Sequence, residues 1–364
     1  MKIKLTKQEK NWILYDVGNS AFTLLAATIL PIYFNYIAGK QGLSDVQYLA
    51  YWGYAVSIAT LLTALAGPVF GTVADTKGYK KPVFTIALGI GAIASVALGF
   101  AKYWLAFLVV FVIAKVGYSV TLVFYDSMLV DVTLEDRMDE VSSQGYAWGY
   151  IGSCVPFVIC LLVVLNAGKI GITMEIAMMV SFVIITVWWV IMTLPLLKTY
   201  HQKYYVEKKQ HAFSESFKRI GITLKNVKKE KKVFLFLLAF FFYIDGVYTI
   251  IDMATAYGSA LGLSSTGLLL ALLLTQIVAF PFAIIFGRLA KKYSAEKLIT
   301  VCIVAYLGVA IFAIFLHYQW QFWVLAVWVG MFQGGQLSGC MAGIAGCKGQ
   351  VDQVAARIDG RQAL

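Results

Sequence analysis

Long apolar stretches are the feature that most limits how this 364-residue chain can fold. A helix needs about 20 mostly apolar residues to cross the hydrocarbon core of a bilayer, and ten runs of roughly that length are present. They cover residues 12–37, 48–73, 82–101, 104–130, 144–166, 174–197, 233–256, 265–286, 298–316 and 320–339. Charged residues make up only 13% of the chain, whereas a soluble protein carries about 25%. The sequence therefore predicts an all-α polytopic membrane protein with about ten transmembrane helices, and it excludes a soluble enzyme and a disulfide-stapled secreted domain.

The distribution of Lys and Arg predicts the orientation of these spans. If the N-terminus is cytoplasmic, 26 of the 30 basic residues fall on the cytoplasmic side, three fall on the other side, and Lys115 lies within the fourth span. Such an asymmetry follows the positive-inside rule. We therefore expect a multi-pass protein of the plasma membrane with a cytoplasmic N-terminus. Orientation accounts for the net charge of +11, so nucleic-acid binding is not expected.

A long basic stretch divides the spans into six before it and four after it. We expect residues 1–197 to form an N-terminal six-helix bundle, residues 198–232 a cytoplasmic basic linker, residues 233–335 an incomplete four-helix C-terminal bundle, and residues 336–364 an aberrant tail. Apolar residues of the linker recur at steps of three and four, which predicts an amphipathic helix on the inner membrane surface. A mobile linker with chance periodicity is the alternative. The layout is typical of transporters built from two parallel repeats.

Polar and ionisable side chains inside the spans are costly in hydrocarbon, so each is a candidate functional residue. The candidate residues of a solute or ion cavity are Asp16, Asn19, Lys115, Asp126, Asp245 and Gln276. The charged members fall on spans one, four and seven, which are expected to line the central cavity of a two-repeat transporter. Two alternatives stay open: Asp16 lies in the headgroup layer if the first helix starts later, and Gln276 only joins helices. We expect Asp131, at the end of span four, to be a solvated end charge.

Lys115 lies near the predicted midplane, where it needs a counter-charge or a deprotonated state. Asp245 is the predicted partner because it also lies near the midplane, and Asp16 is the second candidate. We therefore predict either a Lys–Asp pair or a carboxylate proton relay in the cavity. A static ion pair that only joins the two halves is the alternative.

The loop after span two has a pattern suited to a tight turn at the membrane surface. Its five characteristic residues are Gly71, Asp75, Gly78, Lys80 and Lys81. We expect Gly71 to allow close helix approach, Gly78 to permit the turn, and Asp75 to end the span by accepting from backbone amides or pairing with a basic residue. Lys80 and Lys81 are expected to anchor at the headgroups. A plain basic turn is the alternative, but a weaker echo of the loop after span eight favours an internal repeat.

This loop resembles the G-x-x-x-D-x-x-G-[RK]-[RK] signature of the major facilitator superfamily. Four other segments resemble the vacuole effluxer-like family (autophagy-related amino-acid effluxers), including its bacterial members. These segments are residues 12–20, 141–152, 243–249 and 257–258. The resemblance implies a major facilitator fold of two six-helix bundles, with Asp16, Asn19 and Asp245 in the cavity. It also implies a secondary active transporter that works by alternating access, with amino-acid efflux as its activity. Because the family has twelve spans, we expect the C-terminus to be truncated near Gly335.

Other function classes are less well supported by the sequence. We do not expect an enzyme, because the motifs H-E-x-x-H, G-x-S-x-G and Walker A are missing, nor do we expect a bound metal or cofactor. A coupling ion, H⁺ or Na⁺, remains an expectation. The expected partners are a small-molecule solute and the lipid bilayer, with the chain as a monomer. The alternatives are a truncated, non-functional transporter fragment and a channel or scaffold without transport chemistry.

Overall fold

Helices form nearly all of the computed structural model. It describes residues 5–134, 137–207, 231–289, 292–293 and 295–333. The helices are α1 Lys7–Ala27, α2 Ile29–Lys40, α3 Asp45–Asp75, α4 Lys80–Ala97, α5 Trp104–Val132, α6 Met138–Leu165, α7 Ala167–Ile170, α8 Met174–Thr199, α9 Lys231–Ala260, α10 Ser265–Leu289, α11 Ala295–Ile314 and α12, residues 319–333. Among the described residues, eight helical segments are long and apolar enough to cross a membrane. The predicted all-α membrane architecture is confirmed.

The first span begins earlier than its apolar run suggests. Thr6 and Glu9 form a capping box that starts α1 at Lys7, and this satisfies amide groups that would otherwise lack partners. The α1–α2 pair then continues to Lys40 as one 34-residue span. Asp16 therefore lies about 14 Å from the start of α1 and is only 4% exposed. The alternative for Asp16 requires a first helix that starts later than predicted, and α1 does not.

Helix α6 packs closely on α1 because three glycines lie on the contacting face. A Cβ atom at Gly149 would lie 2.7 Å from Ser20 Oγ, and a Cβ atom at Gly152 would lie 2.5 Å from Val17 Cγ1. Gly145, one turn earlier, leaves room for Trp12 in the same way. Apolar side chains gain little free energy by moving from lipid into a helix–helix contact, because lipid tails are equally apolar. Small residues instead stabilise the contact by letting the two backbones approach and make dispersion contacts.

Two sets of contacts join the helices before residue 200 to those after residue 230. The ends of α9 and α2 meet on the side of the membrane opposite the N-terminus, where the Asn35 amide donates to the Ser259 hydroxyl oxygen at 2.8 Å. Helices α6 and α10 meet towards the N-terminal side, where a Cβ atom at Gly287 would lie 2.8 Å from Ser143 Oγ. The two predicted halves thus contact each other on both sides of the membrane.

The structure describes only part of the basic linker and none of the predicted tail. Residues 200–207 run beside the loop between α3 and α4, where Thr76 and Val206 form an isolated β-bridge. The predicted amphipathic helix and the predicted tail, residues 336–364, lie outside the described residues.

Candidate functional site

An ion pair joins the two halves towards the side of the membrane opposite the N-terminus, which we call the opposite side. The Lys115 ammonium of α5 lies 2.8 Å and 3.0 Å from the two carboxylate oxygens of Asp252 on α9. The two side chains are only 16% and 11% exposed, so each charge depends on the other for its solvation. The predicted class of interaction, a Lys–Asp pair, is present, but the predicted partner is wrong.

The length of α9 explains why Asp252 replaces Asp245 as the partner. Lys115 lies about 16 Å from the start of α5 on the opposite side, at 1.5 Å per residue. Because α9 continues to Ala260, Asp252 lies about 12 Å from the same side and Asp245 about 22 Å. The apolar run of this span ends at residue 256, four residues before the helix does. The prediction counted depth from the start of the run, at residue 233, and so gave Asp245 the same depth in the membrane as Lys115. Asp16, the second candidate, instead packs against α6.

Neighbouring contacts extend the closed surface around this pair. The Trp52 indole of α3 donates to the backbone carbonyl of Asp252 at 3.3 Å, and the Thr255 hydroxyl donates to the backbone carbonyl of Ala27. With the Asn35–Ser259 bond, these interactions form what we call the opposite-side seal. Helix α9 supplies one member of every pair, so movement of α9 would break them together.

Below the seal, α1 presents its polar residues to α5 and α6. Trp12 stacks on Tyr125 with ring centroids 4.2 Å apart, and the Tyr15 hydroxyl donates to Thr121 at 2.7 Å. These contacts direct the next residue, Asp16, towards α6. A Cβ atom at Gly145 would lie 3.1 Å from Asp16 Oδ2 and 3.4 Å from the Tyr125 hydroxyl.

Asp126 of α5 and Asp245 of α9 belong to helices of different halves. Both side chains are exposed. Asp126 interacts electrostatically with Asp16 and with Tyr146 of α6. Tyr146 also interacts with Tyr248, which lies one turn from Asp245 on the same face of α9. We call these five residues the acidic face of the cavity.

Two further candidate positions lie around the acidic face. Asn19 is buried one turn beyond Asp16 on α1. Gln276 lies on the wall of an adjoining cavity of about 370 Å³, which also contacts Leu24 and Thr249. Most of that cavity wall is apolar, and its volume lies within the range of small-molecule sites. The structure therefore brings the candidate residues of spans one, four, seven and eight to one central region.

The loop after α3 agrees with only part of its predicted chemistry. Gly78 has a φ of +78°, which glycine adopts without strain, so the predicted tight turn is confirmed. A Cβ atom at Gly71 would have no described neighbour within 4 Å, so Gly71 does not mediate close helix approach here. Asp75 ends α3 with an exposed side chain, and its backbone carbonyl accepts from the Val206 amide at 2.7 Å. Lys81 is exposed as expected.

Lys80 is buried in an ion pair and is not a headgroup anchor. Its ammonium lies 3.0 Å from Asp131 Oδ2, with side-chain exposures of 2% and 0%. Asp131 also accepts from the Tyr200 hydroxyl and from the amides of Lys203 and Tyr204, so the prediction of a solvated end charge is wrong. Burial and the nearby carboxylate raise the pKa of the Tyr200 hydroxyl, which keeps it a donor. Lys80 begins α4, and Asp131 lies at the end of α5 on the same side of the membrane. This common position of two opposite charges is the feature of the sequence that could have predicted the ion pair.

Residues 200–207 contact the loop between α3 and α4 through hydrogen bonds and an ion pair. Gln202 accepts from the Gly78 amide at 3.0 Å and donates to the Ala74 carbonyl at 3.1 Å. Lys77 pairs with Glu207 at 2.9 Å, and this carboxylate raises the pKa of Lys77. Because both of these charges are exposed, their pair adds little stability. The start of the linker is therefore joined to the loop mainly through backbone and amide hydrogen bonds.

Comparison with known proteins decides the family. The profile described as "Vacuole effluxer Atg22 like" matches residues 6–133 and 130–345. The chain belongs to this family. It is 43% identical over 340 residues to the MFS-type transporter YxiO of Bacillus subtilis, covering 92% of this chain and 79% of that protein.

More distant similarities agree with this assignment. Autophagy-related protein 22-1 of Neosartorya fischeri is 22% identical over 227 residues, covering 55% of this chain and 37% of the fungal protein. A crystal structure of the nucleoside transporter NupG has the same fold, with a TM-score of 0.65 and 16% identity over 94% of this chain and 82% of that one. This vacuole effluxer-like protein is thus a transporter of the major facilitator type.

Proposed function

We propose that this protein is a secondary active transporter that moves a small solute by alternating access. The observation that carries the proposal is the pair between Lys115 and Asp252, because it joins one helix of each half above a polar cavity. Contacts between α6 and α10 lie towards the other side of the membrane. Alternating access requires these two sets of contacts to open in turn, which exposes the cavity first to one side and then to the other.

We propose efflux from the cell as the direction, and the family description, which names a vacuole effluxer, supports this. We propose amino acids as the solutes, because the resemblance to the vacuole effluxer-like family implies this substrate class. The basic residues on the N-terminal side support a cytoplasmic N-terminus in the plasma membrane. We further propose that H⁺ is the coupling ion, because Asp16 and Asp126 lie close enough to interact and a carboxylate pair can hold a shared proton. No enzymatic activity is proposed.

Uptake into proteoliposomes tests this function. The purified chain is reconstituted and offered a set of radiolabelled amino acids, with and without an imposed pH gradient. Saturable uptake that follows the gradient is expected. Asp126→Asn should abolish the dependence on the gradient, whereas Asp45→Asn, the same change at an exposed residue on the opposite side, should not.

Three outcomes would contradict the proposal. Uptake that never saturates, or single-channel currents, would indicate a channel. The absence of uptake of every amino acid, in a sample that remains folded, would support a fragment without transport activity. Unchanged pH-dependent uptake in Asp126→Asn would remove the coupling role of that carboxylate.

A further inference from the structure

Three carboxyl groups of the central cavity have no ion-pair partner among the described residues. Asp16, Asp126 and Asp245 lie at its acidic face, and Lys115 is the one basic residue within the described spans at this depth. Asp252 holds the Lys115 ammonium through both carboxylate oxygens, so that charge is not available to the other three carboxylates. The described residues therefore leave the acidic face without a counter-cation.

A buried hydroxyl beside Asp16 also lacks a partner. Tyr125 is 2% exposed, and its hydroxyl has no hydrogen-bond partner among the described residues. The Cβ position of Gly145 lies 3.1 Å from Asp16 Oδ2 and 3.4 Å from this hydroxyl oxygen, so the two oxygens border one small region. A buried polar group of this kind is expected to find a partner, and a bound ligand can supply one.

Aromatic rings surround the same region. Tyr248 of α9 interacts electrostatically with Tyr118 of α5 and with Tyr146 and Tyr150 of α6. The faces of aromatic rings attract cations, most strongly where water is excluded. Rings and carboxylates from four helices therefore favour the same kind of ligand, one that carries a positive charge.

The adjoining cavity adds an apolar requirement. This cavity has a volume of about 370 Å³, and its wall is formed mainly by aliphatic side chains, among them Leu24 of α1. The neighbouring residue on α1, Thr23, forms a hydrogen bond of 2.6 Å with the Tyr118 hydroxyl. Thr249 joins this wall to the acidic face through the next turn of α9. A ligand that fills both regions has a cationic group at one end and an apolar body at the other.

We propose that the protein also transports organic cations, in which an ammonium or similar group is attached to an apolar body. The inference rests on the proposed transport function and adds a second class of substrate to the amino acids. Asp126 and Asp245 attract the charge, the tyrosine rings contact the cationic group, and the apolar cavity holds the remainder of the molecule.

Binding of tritiated tetraphenylphosphonium to the purified chain in detergent tests this inference. Saturable binding is expected, and the uncharged triphenylphosphine oxide should not compete. The double variant Asp126→Asn/Asp245→Asn should bind about tenfold more weakly or worse, since it loses the charge–charge attraction of two carboxylates for the cation. Asp245→Glu, which keeps the charge, should retain binding, and so should the control Asp45→Asn.

The outcomes separate this inference from the proposed function. Equal binding by the double variant, or equal competition by the uncharged compound, would overturn the organic-cation inference. Transport of neutral amino acids without any binding of the cation would overturn this inference and leave the transport function standing. Loss of both activities in a folded sample would overturn both.

Discussion

Removing Lys115 should open the opposite-side seal. In Lys115→Ala, Asp252 keeps its charge but loses the only cation in contact with it among the described residues. Removing one partner of a buried ion pair destabilises the conformation that contains it by about 3–5 kcal/mol. That cost falls on the closed conformation alone, because separation of α5 and α9 would let water reach the carboxylate. The population should therefore shift towards the opened conformation by about two to three and a half orders of magnitude.

A single cysteine can report this opening. Ser259 is in contact with Asn35 at 2.8 Å in the opposite-side seal. We place Ser259→Cys in a chain whose five native cysteines are replaced by Ser and measure its reaction with a membrane-impermeant maleimide. Labelling should be slow in the parent and should accelerate strongly in Lys115→Ala. The control Lys169→Ala removes an exposed basic residue from the same side and should leave the rate unchanged.

A double variant tests the physical reason for the shift. Replacing both partners by apolar residues, Lys115→Met with Asp252→Leu, leaves no buried charge and is expected to be nearly neutral. Its labelling rate should return close to that of the parent. Unchanged labelling in Lys115→Ala would refute the role of the pair in closure, and a double variant as reactive as the single one would refute the electrostatic explanation.

Two further predictions concern stability in detergent. Lys80→Ala should destabilise the chain by about 3–5 kcal/mol because it leaves a buried carboxylate unpaired, whereas Lys81→Ala, at an exposed position, should change thermal unfolding little; similar melting of both variants would contradict this. Gly152→Ala should cost about 1–3 kcal/mol, since its Cβ atom would lie 2.5 Å from Val17 Cγ1. Gly168→Ala, with nothing within 4 Å, is the matched control, and equal melting temperatures would refute the close packing of α6 on α1.

The depth of a residue in the membrane was harder to predict than the presence of its span. Apolar runs identify where helices cross, because every backbone polar group must be satisfied inside the helix. They do not show where the helix ends, because capped polar turns extend it. Helix α1 begins at Lys7 and α9 continues to Ala260, both beyond their apolar runs. This difference changed the environment of Asp16 and moved the partner of Lys115 by two turns.

Sequence alone determined the family and the all-α membrane architecture. These follow from local properties, since hydropathy and short motifs are read over a few turns of chain. Only the tertiary structure decided which charges meet. Lys115 with Asp252 and Lys80 with Asp131 are separated by 137 and 51 residues. Their pairing depends on helix ends and on which helix faces contact each other, and this packing is set by many distant residues at once.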